Sequence, residues 1–180
     1  MKKKVVLAFS GGLDTSFCVP YLINEKGLEV HTVMVNTGGF SPEEEKAIEN
    51  RALSLGAATH TTVNAVDEYY NKGIKYLIFG NILKNATYPL SVSSERIFQA
   101  LAVLDEVKKI NASYVAHGST GAGNDQVRFD LVFEVLAPGV EIIAPIRELS
   151  LSRASEIEYL AKHGCNLSWD KAKYSINQGL

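Results

Sequence analysis

Two glycine-bearing strings hold most of the residues in this sequence that could do chemistry. The first is Ser10-Gly11-Gly12-Leu13-Asp14-Thr15-Ser16, directly behind the apolar run Val5 to Phe9. Two adjacent glycines let a backbone turn sharply and approach a ligand closely. The free N–H groups of a helix that starts there face the same point and cradle phosphate oxygens. Ser10, Thr15 and Ser16 add hydroxyl donors. The string has no Gly-Lys-Ser/Thr ending, so it is not a Walker loop for γ-phosphate transfer, and it is not Gly-x-Gly-x-x-Gly either. The second string runs His117-Gly118-Ser119-Thr120-Gly121-Ala122-Gly123-Asn124-Asp125-Gln126-Val127-Arg128-Phe129. Its glycines allow it to wrap a ligand, and Thr120, Asn124 and Asp125 offer donors and acceptors. Arg128 supplies the planar fork that suits a carboxylate. The plainer alternatives are a strand-to-helix turn for the first string and a solvated surface loop for the second.

The elements that must position these strings alternate along the chain. Val5 to Phe9, Val30 to Val35, Thr59 to Val63, Ser113 to His117 and Ile142 to Ala144 read as short strands, the first of them buried on both faces of a sheet. Thr15 to Glu25, with Pro20 as a possible kink, reads as a helix closed by Gly27. Ser41-Pro42-Glu43-Glu44 is a helix start with an N-cap serine, proline at the first position and acids in the first turn. Val66 to Leu77, Glu95 to Ile110 and the stretch from Ser152 to Gly164 read as further helices, while Gln126 to Leu136 fits helix or strand. Strand and helix in alternation predict an α/β fold, a doubly wound and mainly parallel five-stranded sheet. In such sheets ligands bind beyond the carboxyl ends of the strands, so both strings should meet at one sheet edge.

Composition sets the outer limits. The chain has 180 residues, 46% hydrophobic and 21% charged, with a formal net charge of −2. That length supports one self-sufficient core. Near-neutral charge gives no overall field drawing the chain to nucleic acid or anionic membrane, so neither is expected as a partner. Cys18 and Cys165 stand in no metal or redox spacing and are read as reduced cysteines of a cytoplasmic protein. Ser10-Gly11-Gly12 cuts the N-terminal apolar run too short for a signal peptide, and the three glycosylation sequons are read as chance. His31, His60 and His163 lack clustered partners and are assigned structural roles; His117 alone adjoins a loop of interest, and no metal site is expected. Trp169 reads as a packing residue. The end, Lys173 to Leu180, carries no stop signal and reads as cut from a longer protein.

The first string resembles the pyrophosphate-binding loop of the N-type ATP pyrophosphatases, whose members include GMP, NAD, asparagine and argininosuccinate synthases. The second is similar, over its whole length, to the substrate-binding segment of the argininosuccinate synthase family. Tyr88-Pro89-Leu90-Ser91-Val92-Ser93 resembles a third segment of that family, in which a Tyr and a Ser five positions on contact citrulline. The resemblance implies an adenine nucleotide α-hydrolase-like fold, with residues 1–165 as nucleotide-binding domain and 166–180 as the start of a synthetase domain. It implies ATP with Mg2+, and cleavage at the α-phosphate as citrulline and aspartate condense to argininosuccinate through a citrullyl-adenylate. By match of position, Ala8, Phe9, Ser10, Gly11, Gly12, Leu13, Asp14, Thr15, Ser16, Val35 and Gly118 would contact ATP. Tyr88, Ser93, Asn124, Arg128 and Ser175 would contact citrulline, and Thr120, Asn124 and Asp125 aspartate. Asp14 and Asp125 are the candidates for a catalytic part, Asp14 by organising magnesium or the loop itself. Family members are homotetramers, an expectation for the full-length protein, and 1–180 alone is expected to bind ATP but catalyse poorly. Val35 departs from the family's usual Ala, and Ser94-Glu95-Arg96-Ile97 from a usual Leu-Ala-Arg-Pro. Two other readings remain. An ammonia-using adenylating ligase would lack the block Asn124 to Arg128, and a non-catalytic module of universal-stress type would bind ATP without α-phosphate chemistry.

Overall fold

β1 (Lys4–Ala8) lies at the centre of the molecule, and its Val5, Val6 and Leu7 are wholly buried. The computed structural model describes residues 2–165 and 169. After β1 come α1 (Leu13–Asn24), β2 (Glu29–Asn36), α2 (Pro42–Ser54) and β3 (Thr59–Asn64). α2 starts on a full capping box, in which Ser41 Oγ accepts the Glu44 N–H and the Glu44 carboxylate accepts the Ser41 N–H. The chain then forms α3 (Val66–Tyr69), a π-helical turn (Tyr70–Ile74) and α4 (Lys75–Phe79). A two-residue antiparallel pair follows, β4 (Leu83–Lys84) with β5 (Tyr88–Pro89). α5 (Ser91–Ile110), β6 (Tyr114–Ala116), α6 (Asp125–Leu136), β7 (Glu141–Ile143), α7 (Pro145–Leu149) and α8 (Arg153–Lys162) complete the described chain.

The main sheet has the order β3-β2-β1-β6-β7, and every neighbouring pair is parallel. Side chains alternate across it as a strand's period of two requires. Val5, Leu7 and Phe9 join Phe17, Leu22 and Leu160 on one face, while Val6 joins Val33, Val103 and Phe133 on the other. This is the doubly wound sheet that the strand–helix alternation predicts. From β1 the chain moves outward to β2 and β3, then returns to the opposite side of β1 as β6. The reversal leaves a switch point between β1 and β6, the place where doubly wound sheets bind their ligands.

Some elements differ from expectation for visible reasons. The undecided stretch from Gln126 is a helix, α6. Its Phe129, Val132 and Phe133 are buried, yet Val127, Leu131 and Val135 are exposed, so apolar residues occur all round and blur the period. α5 begins at Ser91, four residues before Glu95, because the Ser93 and Ser94 N–H groups already bond to the Leu90 carbonyl. The helix expected from Val66 is interrupted by the π-turn, where Gly73 leaves room for the Phe98 ring; a Cβ there would stand 3.0 Å from Phe98 Cε2. Pro20 sits inside α1 without ending it. Among the described residues no helix is long and apolar enough to cross a membrane.

Candidate functional site

The first string leaves β1, turns through Ser10 to Gly12 and enters α1 at Leu13. Gly11 takes φ +74°, a left-handed conformation that favours glycine, and a Cβ there would also press to 3.0 Å from Ile48 Cγ1. Its carbonyl is tied down to α2 by a hydrogen bond from Arg51, whose guanidinium also lies over the Trp169 ring. Most loop hydroxyls brace the loop itself. Thr15 Oγ1 reaches Ser10 Oγ at 3.2 Å and donates to the Gly12 carbonyl at 3.3 Å, and Ser10 Oγ accepts the Gly12 N–H at 3.3 Å. Ser16 is fully buried and hydrogen-bonds back to the Gly11 carbonyl.

The second string leaves β6 and closes on the first. Gly118 lies so near α1 that a Cβ would sit 2.9 Å from Thr15 Cγ2 and 3.1 Å from the Thr15 nitrogen. Behind it stands His117, 1% exposed and stacked on Phe129. His117 Nδ1 accepts the Ser119 N–H at 3.2 Å, so its proton sits on Nε2, which donates to Asp130 Oδ1 at 2.9 Å. Burial alone would raise the Asp130 carboxyl, but hydrogen bonds from His117 and from Arg147, at 2.5 Å, hold it below the ordinary value. Arg147 also donates to Gln126 Oε1, and Gln126 Nε2 donates to the carbonyls of Gly121 and Gly123. These bonds pin the glycine-rich turn at both ends.

Between the strings lies a cavity of about 290 Å3. Of the residues expected to contact ATP, Ala8, Phe9, Ser10, Gly12 and Leu13 line it, with Asp14, Thr15, Val35 and Gly118. Gly11 and Ser16 do not; they shape the turn from behind. Asp125 lines the cavity too, and its carboxylate accepts Arg128 Nη1 at 2.6 Å, while Arg128 Nη2 donates to Ser93 Oγ at 3.0 Å. The start of α5 and the start of α6 are thereby joined, bringing together three residues expected at the amino-acid end. Asn124 and Thr120 are exposed, on the stretch before α6, and do not line the cavity. Tyr88 belongs to the short strand β5, and Ser175 lies outside the described residues.

Sequence reasoning missed two cations on the cavity wall, Arg96 and Arg153. Arg96 is 4% exposed and anchored by Asp125, Glu95 and Gln99. Nothing in its local sequence separates such a buried guanidinium from a solvated one. The other histidines line no part of the cavity: His31 and His60 reach Thr59 and Thr32, each at 2.8 Å, and His163 the Tyr159 carbonyl.

A family model described as the arginosuccinate synthase N-terminal HUP domain matches residues 4–166. The chain belongs to the argininosuccinate synthase family. The chain is 43% identical to the argininosuccinate synthase of Xanthomonas campestris over 99% of its own length and 45% of that protein's. Against the argininosuccinate synthase of Methanocaldococcus jannaschii it is 43% identical over 100% of itself and 45% of the relative. For that of Pyrobaculum aerophilum the figures are 41% identity, 98% and 44%. The chain thus spans under half the length of the curated relatives it matches. A crystal structure described as that of a predicted subunit of tRNA methyltransferase from M. jannaschii superposes with a TM-score of 0.51 at 17% identity, covering 89% of this chain and 76% of that one. This likeness bears on the fold alone, and agrees with the five-stranded parallel sheet of the family's HUP domain.

Proposed function

We propose that this chain is the nucleotide-binding part of an ATP-dependent ligase that joins citrulline to aspartate, making argininosuccinate in arginine biosynthesis. The observation that carries the reading is the contact of Gly118 with Thr15, which sets the two strings over one cavity. In this reading the first loop and the start of α1 hold the β- and γ-phosphates, and Val35 and Gly118 border the adenosine. The cradle fits an anion: it combines backbone N–H groups at a helix start with two arginines on the wall. Magnesium would arrive on the triphosphate and neutralise charge on the pyrophosphate leaving group. Among the described residues no cluster of three or more His, Cys, Asp or Glu could hold a metal. The Asp14 carboxyl is engaged with Glu156, which favours its loop-organising role.

Arg128, Ser93, Asn124 and Tyr88, with Ser175, would take citrulline, and Thr120, Asn124 and Asp125 aspartate. The ureido oxygen of citrulline attacks the α-phosphorus, forming a P–O bond as the bond to pyrophosphate breaks. The aspartate amine then displaces AMP. The protein's part is chiefly placement, holding nucleophile and phosphorus on one sheet edge, and stabilisation of the departing pyrophosphate by loop amides. No residue on the cavity wall is an evident general base. Residues 1–165 are the nucleotide-binding unit of a cytoplasmic protein that assembles as a homotetramer at full length and engages no nucleic acid. The test is isotope exchange in the full-length protein. Labelled pyrophosphate should enter ATP when citrulline and magnesium are present, without aspartate. Exchange that instead requires ammonia or a deamido dinucleotide contradicts the proposal.

A further inference from the structure

Glu156 is a buried ionisable group to which the proposed chemistry gives no part. It sits on α8, which packs on α1, and is 3% exposed. Among the described residues its Oε2 meets no hydrogen-bond donor. What Glu156 faces is the carboxyl of Asp14, within side-chain hydrogen-bond reach. Two carboxylates so placed cannot both ionise cheaply, and the cost falls on the buried Glu156. As a carboxylic acid Glu156 can donate; as a carboxylate it has only acceptors facing an acceptor. The other groups around it decide which form prevails. α1 presents Asp14, and α8 itself contributes Arg153; the Cys18 thiol of α1 in turn faces Asp14, Glu156 and Glu148 of α7. Burial, and then Asp14, push Glu156 up to about 8 against the partial offset of Arg153. Burial, then Asp14, Glu156 and Glu148, also raise Cys18 well above its ordinary value.

We infer that Glu156 is a positioning residue of the phosphate loop: protonated, it donates a hydrogen bond to Asp14 and holds the first turn of α1 in its anion-accepting form. Ionised Glu156 repels Asp14 and places a further negative charge beneath the loop, so a polyanion binds less well. The functional arm of this inference rests on the ATP reading above; the stability arm does not. If the protonated form alone is competent, apparent affinity follows its population, and ATP should bind about tenfold or more weakly at pH 9.5 than at pH 7.5. Folding is linked to the same proton. Glu156 binds it more tightly folded than unfolded, so this contribution is full below the ordinary value of 4.5 and is lost as pH rises from there to about 8.

The experiment compares the protein with its Glu156→Gln and Glu156→Leu variants, by ATP titration at pH 7.5 and 9.5 and by melting from pH 4.5 to 9. Glu156→Gln keeps a donor and cannot ionise. It should bind ATP within about twofold of the parent at pH 7.5 and hold that affinity at pH 9.5. Its melting temperature should gain on the parent's as pH rises towards 8 and then run parallel. Glu156→Leu, with no donor, should bind weakly at both values. A Glu156→Gln variant that keeps the parent's pH dependence in both affinity and melting overturns the inference. If no variant binds ATP at any pH, the nucleotide reading fails instead, and the melting curves alone decide: divergence supports the protonated Glu156 and parallel curves refute it.

Discussion

Gly118→Val should weaken ATP binding about a hundredfold, roughly 3 kcal/mol, while leaving the fold in place. The reason is space. A Cβ at this position would meet Thr15 Cγ2 at 2.9 Å, the Thr15 nitrogen at 3.1 Å and the Asp14 carbonyl carbon at 3.3 Å. The first of these could rotate away, but the others are backbone and cannot. To relieve the clash the two strings must part, and the N–H groups at the start of α1 then lose their aim. The sheet beneath is untouched, so melting should shift by only a few degrees. Gly139→Ala is the matched control, since a Cβ there meets nothing within 4 Å. Isothermal titration with ATP checks both variants. Equal affinity in the two would show that the strings do not share one ligand.

Arg96→Met should lower stability by roughly 2 to 3 kcal/mol, below the cost of breaking a fully buried pair because Asp125 is partly exposed and keeps Arg128. Arg96 Nε lies 3.2 Å from Asp125 Oδ2, and Nη1 lies 3.5 Å from Glu95 Oε2 and 3.0 Å from Gln99 Oε1. Methionine fills much of the same volume, so what is lost is charge. Glu95 is left nine-tenths buried with neutral donors, Thr37 at 2.5 Å and Gln99 at 3.3 Å. A domain of this size should melt about 8 °C lower, and the double variant Glu95→Gln/Arg96→Met should recover part of that. Because Arg96 also faces the cavity, ATP affinity should fall about tenfold. An unchanged melting temperature would mean that the pair contributes nothing.

Much of this is legible in the sequence alone, and the exceptions have two causes. β1 announced itself because a strand covered on both faces needs nothing but apolar residues, and glycines marked where it ended. Likewise α2 carries its start in local chemistry, the Ser41–Glu44 box. The site's two strings could be set on one edge because strand order and ligand position are coupled in doubly wound sheets. α6 was ambiguous because its outward face is as apolar as its inward one. Arg96, Arg153 and Glu156 were invisible as site residues for a different reason. Each sits at ordinary helical spacing, and its meaning arises when α5 packs beside α6, or α8 beside α1, contacts between segments separated in sequence. The same holds for the His117–Asp130–Arg147 chain, whose members gain their roles only from the packing of β6, α6 and α7.

In the proposed function, one ligand touches both loops at once. Amide chemical shifts of the isotope-labelled chain, followed while ATP and magnesium are added, test it directly. Gly11, Gly12 and Thr15 should move together with Gly118 and Ser119, saturating with one common dissociation constant. Shifts confined to either loop, or two loops titrating with different constants, would contradict it.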